Sequence, residues 1–381
     1  MRIGIDMRAL SGPPAGIARF VNNAVRELER IDQENLYFLY AQRSFELPFH
    51  NLRWHQRIHS VASFVPSTLW FQTEALRMVK QDDLDIFWGP VHVVPVGLPA
   101  RIRKVLTVHD LTWRRYPETM TWRNRLVHRL FVERSVRDAD KITAVSASTK
   151  RDLELLLGVS PTKVEVAHPG VSSHFHPHDP AEAARYIAGR FGVSEKYICT
   201  VSTIEPRKNL AALVEAIGVL KKQGKLTHQL VVAGAKGWGK SRIAESTLKW
   251  RLSESDVKFL GFIPDQDLPW LYSGAALFIF PSVYEGFGLP LLEAMACGTA
   301  VASSNRSSLP EVVGDCGFCF DPASVDEIAT AIDRALSQPD LRQELARRGY
   351  QRARRFTCEA CARNILRIFE MEAKQCRRLL T

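Results

Sequence analysis

Ala276-Leu-Phe-Ile-Phe280-Pro-Ser-Val-Tyr-Glu285-Gly-Phe-Gly-Leu-Pro290-Leu-Leu-Glu293-Ala-Met-Ala296 decides the fold, because it holds a buried strand, a glycine-rich turn and a helix in one run. The short apolar segment ending at Phe280 predicts a strand covered on both faces. Gly286 and Gly288 allow a tight turn, and Pro290 suits the first position of a helix. The pattern therefore predicts a helix beginning near Pro290. Its free N–H groups, around Gly288 and Leu289, carry partial positive charge and suit a phosphate. Glu285 in the loop and Glu293, placed by the reading in the opening helical turn, flank that anion position. Carboxylates bind paired hydroxyls but repel phosphate. A ligand with sugar at both ends and phosphate between them fits better than a bare phosphate.

The Glu, seven residues, Glu arrangement of Glu285 and Glu293 resembles the signature of retaining glycosyltransferases of family 4. The similarity extends to bacterial mannosyltransferases and covers nearly the whole chain, most strongly from Ser202 to Glu311. It implies the GT-B fold: α/β, with two Rossmann-like domains facing a central cleft and a C-terminal helix that crosses back to the first domain.

The chain has 381 residues, too many for one ordinary core and suited to two domains of about 150 to 200 residues. A hydrophobic content of 46% and a charged content of 24% are those of a globular enzyme. No apolar run approaches the roughly 18 to 20 residues of a membrane span, and Met1-Arg-Ile-Gly-Ile-Asp6 reads as a strand rather than a leader. A cytoplasmic location is expected, peripheral at most at the inner face of the membrane. The net charge of +10 suggests an anionic partner. From Arg101 to Arg137 there are ten Lys and Arg against Asp110, Glu118 and Glu133, interleaved with Trp113, Tyr116, Trp122 and Phe131. That composition fits either an anionic membrane surface or a solvated helix face over core aromatics. No nucleic-acid recognition module is visible.

Strand-like runs alternate with helical patterns, which predicts parallel sheets covered by helices. The expected strands are 2–6, 36–40, 86–88, 104–109, 141–145 and 164–167 in one half, and 197–202, 229–233, 257–262, 277–280 and 300–303 in the other. The cluster His168-Pro-Gly-Val-Ser-Ser-His-Phe-His-Pro-His-Asp-Pro180 reads as the linker. The expected domains are residues 1–175, 176–355 and a helical tail, 356–381. Ligands of open parallel sheets bind beyond the carboxyl ends of the strands, so site residues should come from strand-end loops of both halves.

Thr200-Val-Ser-Thr-Ile-Glu-Pro-Arg-Lys-Asn-Leu210 puts Arg207 and Lys208 between a strand and the start of a helix, where cations oppose the dipole unless an anion lies between them. The resemblance assigns this pair to the donor diphosphate. It also implies that Glu293 holds the ribose hydroxyls, that Glu285 holds hydroxyls of the transferred sugar, and that Gly286, Phe287, Gly288 and Leu289 line the donor. Val105-Leu-Thr-Val-His109-Asp110 ends a strand in a histidine that the resemblance directs at the transferred sugar. In Ser11-Gly-Pro-Pro-Ala-Gly16, Gly16 lets backbone N–H groups approach a phosphate or the acceptor. The implied catalytic set is His109, Glu285, Arg207 and Lys208. The donor that the resemblance implies is a nucleotide sugar, with GDP-mannose or GDP-rhamnose ahead of UDP-glucose or a UDP-amino sugar. The acceptor it implies is a polyprenyl diphosphate-linked or oligosaccharide chain of surface polysaccharide, O-antigen type.

Three other patterns compete. Gly234-Ala-Lys-Gly-Trp-Gly-Lys240-Ser241 fits a P-loop and follows a strand, but no later strand ends in an Asp suited to magnesium. Asp-x-Asp occurs at Asp83, Asp138 and Asp265, none beside the phosphate position, which leads to an expectation of transfer without metal or cofactor. Cys316-Gly-Phe-Cys319 and Cys358-Glu-Ala-Cys361 have zinc-like internal spacing, but the separation between the pairs is too long for a ribbon site. All seven cysteines are expected to be reduced thiols.

Overall fold

The computed structural model describes residues 1–11, 16–47, 49–60, 66–235, 237 and 240–380, with the side chains of 240 and 377–380 excepted. The chain divides into two compact units, Met1–Gly170 with Thr357–Thr381, and Val171–Phe356.

The first unit is a seven-stranded sheet in the order β3-β2-β1-β4-β5-β6-β7. Its strands are β1 (Arg2–Asp6), β2 (Leu36–Ala41), β3 (Trp54–Ile58), β4 (Ile86–Gly89), β5 (Arg103–Val108), β6 (Lys141–Ala144) and β7 (Val164–Val166), all paired in parallel. Central strands such as Ile86-Phe-Trp-Gly89 are buried along their whole length, as helices on both faces require. On one face, Ile3, Ile5 and Trp88 meet Phe20, Val21 and Leu28 of the helix Gly16–Ile31. The same core takes in Cys361, Ile365, Ile368 and Phe369 of the C-terminal helix Cys358–Leu380. Arg103 Nε donates to Glu372 at 3.1 Å and ties that helix to β5.

The second unit is a six-stranded parallel sheet in the order β10-β9-β8-β11-β12-β13. These strands are β8 (Tyr197–Val201), β9 (Gln229–Ala233), β10 (Val257–Gly261), β11 (Phe278–Phe280), β12 (Val301–Ser304) and β13 (Phe318–Phe320). The helices Leu210–Lys222 and Val325–Ser337 fill one face with Leu213, Ile217, Ile328 and Ile332.

Two strands differ from the sequence reading by being present: β3 and β13, both at sheet edges. Trp54-His-Gln-Arg-Ile58 is mostly polar, and β13 has only three residues with Cys319 exposed. The unit boundary also corrects the expected division after residue 175. Val171 N donates to Phe356 O at 2.9 Å, and the Phe175 ring lies 6.1 Å from Tyr272, so 171–175 belong with the second unit. At the crossing, a Cβ on Gly170 would come within 2.1 Å of Cys358 N. Only glycine allows the two passages of chain to run that close.

Candidate active site

In the second unit β11 feeds the loop 281–288, and the helix Leu289–Ala296 follows. Gly288 caps that helix at φ +102°, a conformation that disfavours a side chain. The N–H groups of Gly288 and Leu289 make no hydrogen bond among the described residues, so the head of the helix retains donors for an anion.

Two serines fix the loop. Ser308 Oγ donates to Glu285 O at 2.9 Å and to Phe287 O at 3.0 Å. Ser307 Oγ accepts from Glu285 N at 3.0 Å and donates to Glu285 O. Ser308 stands at the N-cap position of the helix Leu309–Val313, yet it makes no side-chain cap bond there. Its hydroxyl serves the loop instead.

Arg207 and Lys208 come from a 3₁₀ turn, Pro206–Lys208, that Asn209 closes at φ +56° before the helix Leu210–Lys222. They therefore precede the helix, between β8 and its first turn. Arg207 Nη1 lies 2.6 Å from Tyr284 O and 2.9 Å from Glu285 Oε2, and Nη2 lies 2.6 Å from Glu205 Oε1. Lys208 Nζ lies 2.6 Å from Glu285 Oε1 and 5.5 Å from the centre of the Phe280 ring. Val283 N donates to Arg207 O at 3.0 Å, which joins the turn to the loop. Two carboxylates, Glu205 and Glu285, balance the two cations.

Burial pulls the Lys208 ammonium below the usual lysine range; Arg207 adds to the push while Glu285 opposes it. Burial alone would raise the Glu285 carboxyl, but the charges of Arg207 and Lys208 outweigh it and hold the group below the usual carboxylate range. Glu285 therefore stays ionised at neutral pH.

Glu293 is the fifth residue of its helix, beyond the opening turn in which the sequence reading placed it. A helix starting at Leu289, one residue earlier than Pro290, moves it there. The residue is 2% exposed, and its Oε2 accepts from the Tyr272 hydroxyl at 2.9 Å. Glu205, Tyr272, Ser307 and Ser308 carry no signal in the local pattern, because each acts on a partner distant in sequence or, for Glu205, on a neighbour across a turn.

His109 follows β5 in the first unit. Its Nε2 lies 2.8 Å from Pro90 O, and since a carbonyl can only accept, Nε2 carries the hydrogen. Burial lowers the ring's pKa against the raising pull of Pro90 O and Asp110, so the neutral ring presents Nδ1 as an acceptor. Thr149 Oγ1 donates to His109 O at 3.2 Å, and Ser146 Oγ caps the helix Ala147–Leu157 through Thr149 N at 3.0 Å. The Phe20 ring packs edge-on to His109 at 5.0 Å, from the helix that Gly16 opens. A Cβ on Gly16 would meet no atom of the described residues, so packing does not demand glycine there. Residues 12–15 of that loop lie outside the described residues.

Of the P-loop-like run, Lys236, Trp238, Gly239 and the side chain of Lys240 also lie outside the described residues. Two of its glycines have a packing reason: a Cβ on Gly234 would stand 2.0 Å from Ser202 O, and one on Gly237 would stand 2.1 Å from Ile204 O. The cysteine pairs fall in different units, and all seven thiols are free.

Residues 14–175 match the family model described as Glycosyltransferase Family 4, and residues 188–352 match the model Glycosyl transferases group 1. The chain is 32% identical to the O-antigen chain mannosyltransferase B of Escherichia coli over 79% of its own length and 77% of that protein. It is 31% identical to the MMP alpha-(1->4)-mannosyltransferase of Mycolicibacterium hassiacum, over 80% of this chain and 75% of that one. Among solved structures, the sucrose-phosphate synthase of Thermosynechococcus elongatus superposes with a TM-score of 0.77 over 97% of this chain and 98% of that one, at 19% identity. Sequence and fold agree: the chain belongs to glycosyltransferase family 4, with the GT-B fold and a likeness to bacterial mannosyltransferases.

Proposed function

We propose that this glycosyltransferase moves mannose, or its 6-deoxy relative rhamnose, from a GDP-sugar to a lipid-linked or oligosaccharide acceptor in the synthesis of O-antigen-type polysaccharide. The observation that carries the reading is the joining of Arg207, Lys208 and Glu285 beside the free head of the helix Leu289–Ala296. Charge grows on the diphosphate as the glycosidic bond breaks. Two fixed cations and two helix N–H groups stabilise that charge without reorganising. Glu285, ionised by its cations, accepts hydroxyls of the transferred sugar, and Glu293 accepts those of the ribose. His109 contributes an acceptor at Nδ1 to a sugar hydroxyl and acts in positioning. Transfer proceeds with retention and without metal, the departing diphosphate taking the acceptor's proton. The enzyme works in the cytoplasm.

A thermal-shift panel of nucleotide sugars tests the donor. A true donor at 100 times its dissociation constant stabilises by about 2.7 kcal/mol. GDP-mannose or GDP-rhamnose should lead; a shift with UDP-glucose alone would move the assignment to a UDP-sugar. Activity that survives EDTA and an α-linked product from an α-linked donor would support the mechanism, whereas a β-linked product would overturn it.

A further inference from the structure

The basic and aromatic stretch between Arg101 and Arg137 separates, in the structure, into a paired part and an unpaired one. Arg101 pairs with Asp83, Arg103 and Lys104 with Asp140, Arg114 with Glu133 and Arg134 with Asp138. Trp113 is buried and edge-packed in the core of the first unit. These residues explain themselves as structure.

Of the other arginines, Arg115 lies apart on the helix Thr112–Arg115, and Arg123, Arg125, Arg129 and Arg137 lie on one helical run: Trp122–Val127, a π turn His128–Val132, and Glu133–Asp138. Only its second half enters the core, through Val132, Ser135 and Val136. No residue of Trp122–Val127 is buried. Trp122 is 65% exposed, Leu126 48%, Val127 42% and Leu130 57%. The four-residue spacing of Trp122, Leu126 and Leu130 makes them one stripe. Arg125 and Arg129 have the same spacing alongside it, and the Arg123 guanidinium lies 5.4 Å from the centre of the Trp122 ring. None of Arg123, Arg125 and Arg129 makes an ion pair among the described residues, and no acidic residue lies between Trp122 and Val132.

We propose that the face formed by Trp122, Leu126, Val127 and Leu130 lies in the surface of an anionic lipid bilayer, with Arg123, Arg125 and Arg129 on the lipid phosphates. The charge decides the occupant. A second copy docking the same face would bring six unpaired guanidiniums together, twice the three of one chain, whereas anionic headgroups neutralise them. Tryptophan suits such an interface because its ring is apolar while its N–H needs a polar partner. The inference goes beyond the proposed reaction and is tested without nucleotide sugar or acceptor, so failure of either leaves the other standing.

Sedimentation with vesicles of phosphatidylcholine, with and without phosphatidylglycerol, provides the test. The intact chain should bind anionic vesicles at low salt, lose binding as salt rises, and bind neutral vesicles far less. Replacing Arg123, Arg125 and Arg129 by Gln should weaken binding roughly a hundred-fold, as about five-fold per basic residue predicts. Leu126→Glu with Leu130→Glu should abolish it while leaving the melting temperature unchanged, since both side chains are exposed. Equal binding to neutral and anionic vesicles would overturn the proposal. So would binding that neither set of substitutions changes, or a dimer in sedimentation velocity that Leu126→Glu dissociates.

Discussion

Lys208 Nζ and Glu285 Oε1, 77 residues apart in sequence, stand 2.6 Å apart at a site where both side chains are nearly buried. The same carboxylate holds Arg207 through its other oxygen at 2.9 Å. Removing one partner of such a group leaves the others uncompensated, so the choice of substitution matters. Glu285→Ala strands Lys208, leaves Arg207 paired with Glu205, and should destabilise by about 3 to 5 kcal/mol. Arg207→Ala leaves Lys208 and Glu285 as a pair, and should lower turnover by roughly 10²- to 10³-fold with a smaller change in donor affinity. Steady-state kinetics alongside a melting curve separates the effects; near-normal turnover in a folded Arg207→Ala protein would remove the pair from the chemistry.

Ser308→Ala tests how the loop is held. The substitution removes one donor from Glu285 O and the donor from Phe287 O found in the structure, at a cost of about 1 to 3 kcal/mol. Glu285 O keeps the Ser307 hydroxyl, so the fold should survive. The donor KM should rise several-fold because the loop carrying Glu285 and Gly288 is released. An unchanged KM would show that the loop is set by the chain on either side of it.

Gly288→Ala tests the cap. At φ +102° a Cβ is strained wherever it points, and here it would also stand 2.6 Å from Leu309 Cδ2. We expect a loss of about 1 to 3 kcal/mol in urea unfolding, with weaker donor binding as the helix head shifts. Wild-type donor affinity in the variant would separate the helix head from the phosphate.

The parts of this architecture legible in the sequence are those with a local period or a local turn. Strands such as β9, buried throughout, read as apolar runs, here Leu230-Val-Val-Ala233. The edge strand Trp54–Ile58 does not, because an edge tolerates His55, Gln56 and Arg57. At the site, Glu285, Gly288, Arg207 and Lys208 are visible because each sits at a strand-to-helix turn with its own residue signature. Ser307, Ser308 and Tyr272 are not, since a hydroxyl reaching a carbonyl or carboxylate 21 to 23 residues away leaves no trace in spacing, and Glu205 is not because nothing in the local pattern separates it from a solvated carboxylate. The exposed stripe on Trp122–Leu130 is intermediate: composition shows the charge and aromatics, but only the ion pairs show which arginines remain free.

His92 gives the first unit a predicted sensitivity to acid. It sits beyond β4 at φ +64°, buried, with its ring 5.1 Å from that of His109 and 6.3 Å from that of His128. Burial pushes its pKa down to about 3, with His109 and His128 adding to the shift and Asp110 opposing it. Between the unfolded value near 6.5 and that folded value, the unfolded chain binds a proton that the folded chain does not. Stability is therefore complete above about pH 6.5 and falls as the pH drops, by at most about 1.4 kcal/mol per unit for one such ring. The lowered pKa of His109 has the same sign. His92→Asn retains a residue type that tolerates positive φ while removing the titration. Urea unfolding at pH 7 and pH 5 should show a smaller loss in the variant than in the wild type, by up to about 2 kcal/mol. An equal loss in both would mean that His92 is not the group whose protonation opens this unit.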